Sequence, residues 1–304
     1  MPVPARPTRP ILRAALWLAG ATAAGLVAGG VVRPAAGVTL VSVPALGLQT
    51  LLTVGALPRL RSGGGLRGGL RLLAVHHLVL SLPLAAGGLL LGVDSPLGFG
   101  FFVMGIAPVA ALVPTYAEVL EVDVGSVLVF CLFAYGVALV AMPALLFAAA
   151  GSAVGLGPIA VTVGAGLVAP SVAGRALHSW IVRVPVAIRR ALVNTCVFGI
   201  TFGLGGELAQ EMGSAQVGGV GLALTLAVLA ARTAGTGTLA RWLAPPDLRA
   251  EAPLAGAFKN IALVAAVAGS LHGPTAALPA LLAFAFELGY FVWLARARSA
   301  PTAR

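Results

Sequence analysis

The stretch PLAGAFKNIALVAAVAGSL, residues 253–271, is apolar from end to end apart from a Lys259-Asn260 pair near its start and a serine near its end. Lys259 is the only lysine in the 304-residue chain. A cation in the middle of a bilayer helix costs about 2.5–3.5 kcal/mol on insertion scales, so it persists where a partner, an aqueous cavity or a task offsets that cost. The rest of the chain decides whether this run lies in a membrane and what the lysine does there.

Hydrophobic residues make up 59% of the sequence and charged residues 9%, with a mean hydropathy of +1.03. A soluble globular domain carries roughly 25% charged residues, so the composition reads as an all-α polytopic membrane protein. The formal charge of +10 does not point to nucleic acid, because the arginines sit in short clusters between apolar runs and are not interleaved with aromatics. Cys131 and Cys196 both fall within apolar segments. They read as small buried hydrophobes, with neither a disulfide framework nor a thiolate metal site.

A membrane span needs about 20 mostly apolar residues. Ten stretches approach that length: Ile11 to Val32, Val38 to Leu57, Leu72 to Val93, Phe99 to Leu120, Gly125 to Ala150, Leu156 to Leu177, Ala191 to Gly206, Val217 to Ala240, Pro253 to Leu271 and Pro274 to Ala295. With both termini cytoplasmic, seventeen of the eighteen arginines are counted to the inner side and only Arg33 falls outside; Arg232, one of the seventeen, sits deeper if the eighth span extends to Ala240 or else marks its inner end. This asymmetry is the positive-inside pattern, and adding or dropping one interior helix would reverse every later loop. Arg6, Arg9 and Arg13 resemble the start of a signal peptide, but the apolar run that follows is longer than usual and no convincing cleavage site follows it. The glycine-rich interval Arg59 to Arg71 reads as a flexible inner linker, and His178 to Arg190 as an interfacial helix or an ordinary basic loop.

Five spans in each half place the second half upside down relative to the first, so the expectation is two inverted repeats, residues 1–150 and 151–304, with no separate soluble domain. Folds of this kind bind substrate where corresponding helices of the two halves are interrupted. The fourth span holds Pro108 and Pro114, and its counterpart, the ninth, starts at Pro253 and contains Gly256, Lys259 and Asn260. A proline inside a helix frees backbone carbonyls that need protein, water or ions as partners, although prolines also kink ordinary spans. Thr115, Tyr116 and Glu118 follow the second proline and Ser126 begins the fifth span, so all four are candidates to line the same cavity. Glu118, Glu121 and Asp123 read equally well as a solvated inner rim. His76, His77, Asn194 and Thr195 read first as hydrogen-bonding residues of helix packing.

Counted from Pro253, Lys259 lies roughly 9 Å along its helix, and Glu287 lies about 13 Å from the inner end of the last span. Similar depth makes an ion pair between them one reading. The other has Lys259 reaching the cytoplasmic interface, with Glu287 paired elsewhere or protonated. The sequence leaves both open.

The segments GIAPVAALVPTYAEVLEVDVGSVLVFCLFAYGVALVAMPALL, residues 105–146, and AFKNIALVAAVAGSLHGPTAALPALLAFAFELGYFVWL, residues 257–294, resemble helices four and five and helices nine and ten of the bile acid:sodium symporter family, which is related to the arsenite and auxin efflux carriers. The resemblance implies a panel domain and a core domain, with helices four and nine crossing at their breaks. It carries the Pro108 break, Asn260 and Ser126 into the site. Members often have Gln-Asn where this chain has Lys259-Asn260. Sodium-coupled members have polar residues where this chain has Leu112, Val113 and Pro114, and a glutamate where it has Ala255.

The expected function is therefore a multi-pass cell-membrane protein, a secondary transporter moving a small organic anion by alternating access. Its partners are the lipid bilayer and that anion. The expected site is Pro108, Pro114, Thr115, Tyr116, Ser126, Lys259, Asn260 and Glu287, with no resident cofactor and no metal ligands. Lys259 would charge the substrate site or stand in for a bound cation, and the coupling ion stays open between sodium, protons and none. No H-E-x-x-H pair, Asp-rich magnesium motif or nucleophile constellation supports the alternative of a membrane-embedded enzyme.

Overall fold

Helices account for nearly all of the computed structural model, which describes residues 38–56, 64–110, 112–150, 164–213 and 219–299, with scattered positions between 17 and 32. Half of the first expected span and the first eight residues of the sixth lie outside the described residues. In chain order, α1 is Val38–Ala56, and α2 runs Gly64–His76, through a π turn at His77–Ser81, to Leu82–Leu90. Then come α3 (Pro96–Ile106), α4 (Val113–Val119) and α5 (Val124–Ala150). In the second half, α6 is a π turn at Gly164–Val168 continuing as Ala169–Ala176, α7 is His178–Ile181 and α8 is Val186–Gly213. α9 runs Gly219–Ala230, through a π turn at Ala231–Gly235, to Thr236–Leu243, and α10 (Ala252–Ala257), α11 (Ile261–His272) and α12 (Pro274–Ser299) complete the chain. No strand occurs among the described residues.

Among the described residues, five helices are long and apolar enough to cross a membrane: Gly65–Leu90, Val124–Ala149, Val186–Gly203, Gly221–Leu243 and Thr275–Arg298. Their polarity runs inside out compared with a soluble protein. Leu78, Leu90, Val140 and Trp242 are exposed on the outside, while Lys259, Arg232, Glu287 and His76 are buried. Exposing the first set to water would be costly and exposing the second cheap, and a hydrocarbon surrounding reverses both. Cys131 and Cys196 are buried free thiols.

Packing follows two groups that do not coincide with the two halves of the sequence. α1 packs against α6 and α8, while α2 to α5 pack with α9 to α12. The groups meet where α11 touches α1 and α12 touches α8. The local sequence accounts for the boundaries around this core. Ser95 caps α3 by accepting the Gly98 N–H at 3.1 Å, with Pro96 in the first turn, where its missing N–H costs nothing. Asp123 caps α5 through the Gly125 N–H at 2.9 Å. Gly273, at φ 84 and ψ 170, turns the chain between α11 and α12 in a region open essentially only to glycine.

Candidate functional site

Two helices stop in the middle of the second packing group. α3 ends at Ile106 and the chain restarts as a helix at Val113; α10 ends at Ala257 and α11 begins at Ile261. Pro44, Pro143 and Pro279 lie inside helices that run on without a break, so proline alone does not interrupt a span here. Pro108 lies within the first interruption, whereas Pro114 is in the opening turn of α4. Pro114 therefore starts a helix instead of breaking one, which corrects its expected role.

The two interruptions cross. Asn260 donates its backbone N–H to the Pro108 carbonyl at 2.9 Å, joining one break to the other. Asn260 is also the centre of a tight turn, with φ −75 and ψ 78, closed by Ile261 N–H donating to the Lys259 carbonyl at 2.8 Å. These angles are close to those of an inverse γ-turn. Its side-chain oxygen accepts from Leu263 N–H at 3.1 Å and so caps α11, while its Nδ2 has no partner among the described residues. Gly256 lets α10 approach α9 closely: a Cβ there would lie 2.4 Å from Ala240 Cβ.

Lys259 is wholly buried, at 0% exposure, and does not reach the interface. Its Nζ lies 2.7 Å from Ser81 Oγ, 2.7 Å from the Ala107 carbonyl, 3.0 Å from the Gly105 carbonyl and 3.2 Å from His76 Nε2. The carbonyls are those left without helical donors where α3 ends, the negative end of that helix. His76 Nδ1 lies 2.7 Å from the Ala255 carbonyl, which can only accept. That contact places the ring hydrogen on Nδ1 and leaves the Nε2 lone pair facing the lysine. His76 and Ser81 are five positions apart, about 140° round an ordinary α-helix. The π turn between them is wide enough to bring both to one side.

The side-chain pair between Lys259 and Glu287 is not formed. Glu287 Oε1 instead accepts from Arg232 Nη2 at 2.6 Å and from the Lys259 backbone N–H at 3.0 Å. Arg232, which the sequence leaves either deep in its span or at its inner end, is 4% exposed and lies in the π turn of α9. Its Nε and Nη1 have no partner among the described residues. Thr236, one turn on, bonds both the Arg232 carbonyl and the Gly256 carbonyl, which ties the π turn to α10. The crossing thus buries two cationic side chains against one carboxylate.

A cavity of about 50 Å³ opens beside these groups, lined by Lys259, Asn260, Glu287 and Tyr116 on one side and Gln49, Val197 and Thr201 on the other. It lies between the two packing groups and has room for roughly three or four waters. Tyr116 is held in its wall by stacking on Phe291 at 4.2 Å between ring centres. Ser126 is elsewhere. Its hydroxyl donates to Asp123 Oδ2 at 2.6 Å and completes the cap of α5, a local hydrogen bond that competes with any ligand role. Glu118 is exposed, and the Thr115 side chain lies outside the described ones. Thr195 is exposed and bonds its own helix at the Ala191 carbonyl, 3.0 Å away, rather than a neighbouring one.

Sequence reasoning did not single out Ser81, Gln49 or Thr201, and left Arg232 open between a deeper position in the eighth span and a marker of its inner end. A signal was present for Arg232 alone, since an arginine eight residues inside a span that ends at Ala240 has to be paired or exposed. The sequence matches no family model and no curated protein.

Proposed function

We propose that the chain is a secondary transporter that carries a small organic anion across the membrane by alternating access. The observation carrying this reading is the contact of the two interrupted helices, Asn260 N–H to Pro108 carbonyl at 2.9 Å, next to a cavity with unequal buried charge. Interrupted helices meeting at mid-membrane are the usual way a transporter offers backbone groups to a solute. Two cations against one carboxylate leave one positive charge for an anion, and the unpartnered Asn260 Nδ2 supplies a neutral donor beside it. Ten spans in two inverted five-helix repeats, both termini cytoplasmic, and kinship with the bile acid:sodium symporter family belong to the same proposal.

The cavity of about 50 Å³ is far below the roughly 300–1,000 Å³ of a ligand pocket. Loading would therefore require the α1/α8 side, bearing Gln49 and Thr201, to move away from the crossing. That is an alternating-access motion, with one packing group rocking against the other. Reconstituted protein tested with a panel of labelled small carboxylates and sulfonates should show saturable uptake of at least one of them, reduced more than tenfold in Asn260→Ala. No uptake of any anion by folded protein, or turnover of a lipid without translocation, would overturn the reading.

A further inference from the structure

The group around Lys259 Nζ has a composition that an ordinary buried lysine does not require. Four acceptors lie within 3.2 Å: one hydroxyl, two carbonyls and one imidazole nitrogen. An ammonium has three hydrogens to give, so the shell exceeds its needs. None of the four carries a formal charge, because Glu287 Oε1 is taken by Arg232 and by the Lys259 backbone. Buried lysines are normally paired with a carboxylate. A shell of neutral lone pairs built partly from the carbonyls of an unwound helix end is instead how membrane proteins hold a monovalent cation, whereas a divalent ion draws carboxylates.

We infer that Ser81, Gly105, Ala107 and His76 form a monovalent-cation site at the crossing, and that the chain fills it permanently with its own tethered ammonium. Resting on the transporter reading, the consequence is that no free cation has to bind at this position for the anion to move. The cation is supplied by the polypeptide, travels with α10 and α11, and contributes its charge to the site in every state. Removing the side chain beyond Cβ vacates the shell without touching any of its four ligands, all of which lie on elements other than the one carrying the lysine.

The test uses full-length protein in detergent. Lys259→Ala should bind ammonium and methylammonium. Near ten times half-saturation, binding raises the thermal midpoint by about 3 °C over choline at equal ionic strength. Adding Ser81→Ala should weaken that effect at least tenfold, and the unsubstituted protein should show no difference between ammonium and choline. If Lys259→Ala yields no folded protein in choline, extraction in methylammonium should recover it. Folded Lys259→Ala that responds alike to ammonium and choline, failure of methylammonium to recover the variant, or a specific ammonium response in the unsubstituted protein would each overturn the inference. Replacing sodium by choline should change anion uptake by the unsubstituted protein less than twofold, and a larger loss removes the coupling consequence. Finding no transport at all defeats the transporter reading while leaving the binding result intact.

Discussion

Lys259 and Arg232 are buried in the same crossing and are satisfied in opposite ways. Arg232 has a carboxylate at 2.6 Å and two nitrogens without partners, whereas Lys259 has four neutral acceptors and no carboxylate on its ammonium. The arginine is thus neutralised by charge, whereas the lysine is only solvated by dipoles. A guanidinium suits the first arrangement because its rigid fork matches a carboxylate, and a compact ammonium suits the second because it fits a shell of point acceptors. Only the lysine leaves its charge uncancelled, and so only the lysine adds to the field in the adjoining cavity.

This contrast separates the two cations by experiment, beginning with the carboxylate. Glu287→Gln strands the Arg232 charge, for which the expected loss is about 3–5 kcal/mol. In detergent that is a fall in thermal midpoint of roughly 10 °C. Combining Arg232→Met with Glu287→Leu should recover most of the stability, since replacing a buried pair outright is often close to neutral. If the double variant is no more stable than Glu287→Gln, the pair is not the unit described.

Lys259→Met comes next. It removes the charge and leaves the Gly105 and Ala107 carbonyls without their donor, at a cost of about 2–4 kcal/mol. Uptake should fall more than tenfold in proteoliposomes, while the Arg232–Glu287 pair stays intact. Gly256→Ala affects the frame of the site and neither cation, and forcing a methyl against Ala240 should cost about 1–3 kcal/mol by thermal denaturation. Smallest is the comparison of two serines. Ser81→Ala should cost about 1.5 kcal/mol and reduce uptake, because it removes a ligand of a charged group. Ser126→Ala should weaken the cap of α5 by about 1 kcal/mol and leave the Michaelis constant for uptake unchanged. Equal transport defects in the two serine variants would contradict the placement of the site.

The same contrast shows how far the sequence could be read. Counting along helix axes put Lys259 and Glu287 at similar depth, and they do meet, but through the lysine's backbone N–H. Depth is one coordinate, and which way a side chain turns at a non-helical residue is not written in the spacing. The partners of Lys259 Nζ were hidden for separate reasons. Two are backbone carbonyls, which carry no residue signal. Ser81 shares a side with His76 only because a π turn separates them, and helical periodicity assumes 3.6 residues per turn throughout. Interior prolines were ambiguous markers: Pro108 lies in a break and Pro279 does not. Arg232 was left between a deep position and the inner end of its span because an 18-to-20-residue window tolerates one charge near its end without locating its partner.

Uptake by reconstituted protein is the most direct test of the central claim. Unsubstituted protein, Lys259→Met and the Arg232→Met/Glu287→Leu double variant should be compared for saturable entry of the same labelled organic anion. The account predicts transport by the unsubstituted protein and its loss in Lys259→Met despite a folded, monodisperse sample. It also predicts partial retention in the double variant, where the lysine charge is still present. Anion entry that survives Lys259→Met unchanged would contradict it.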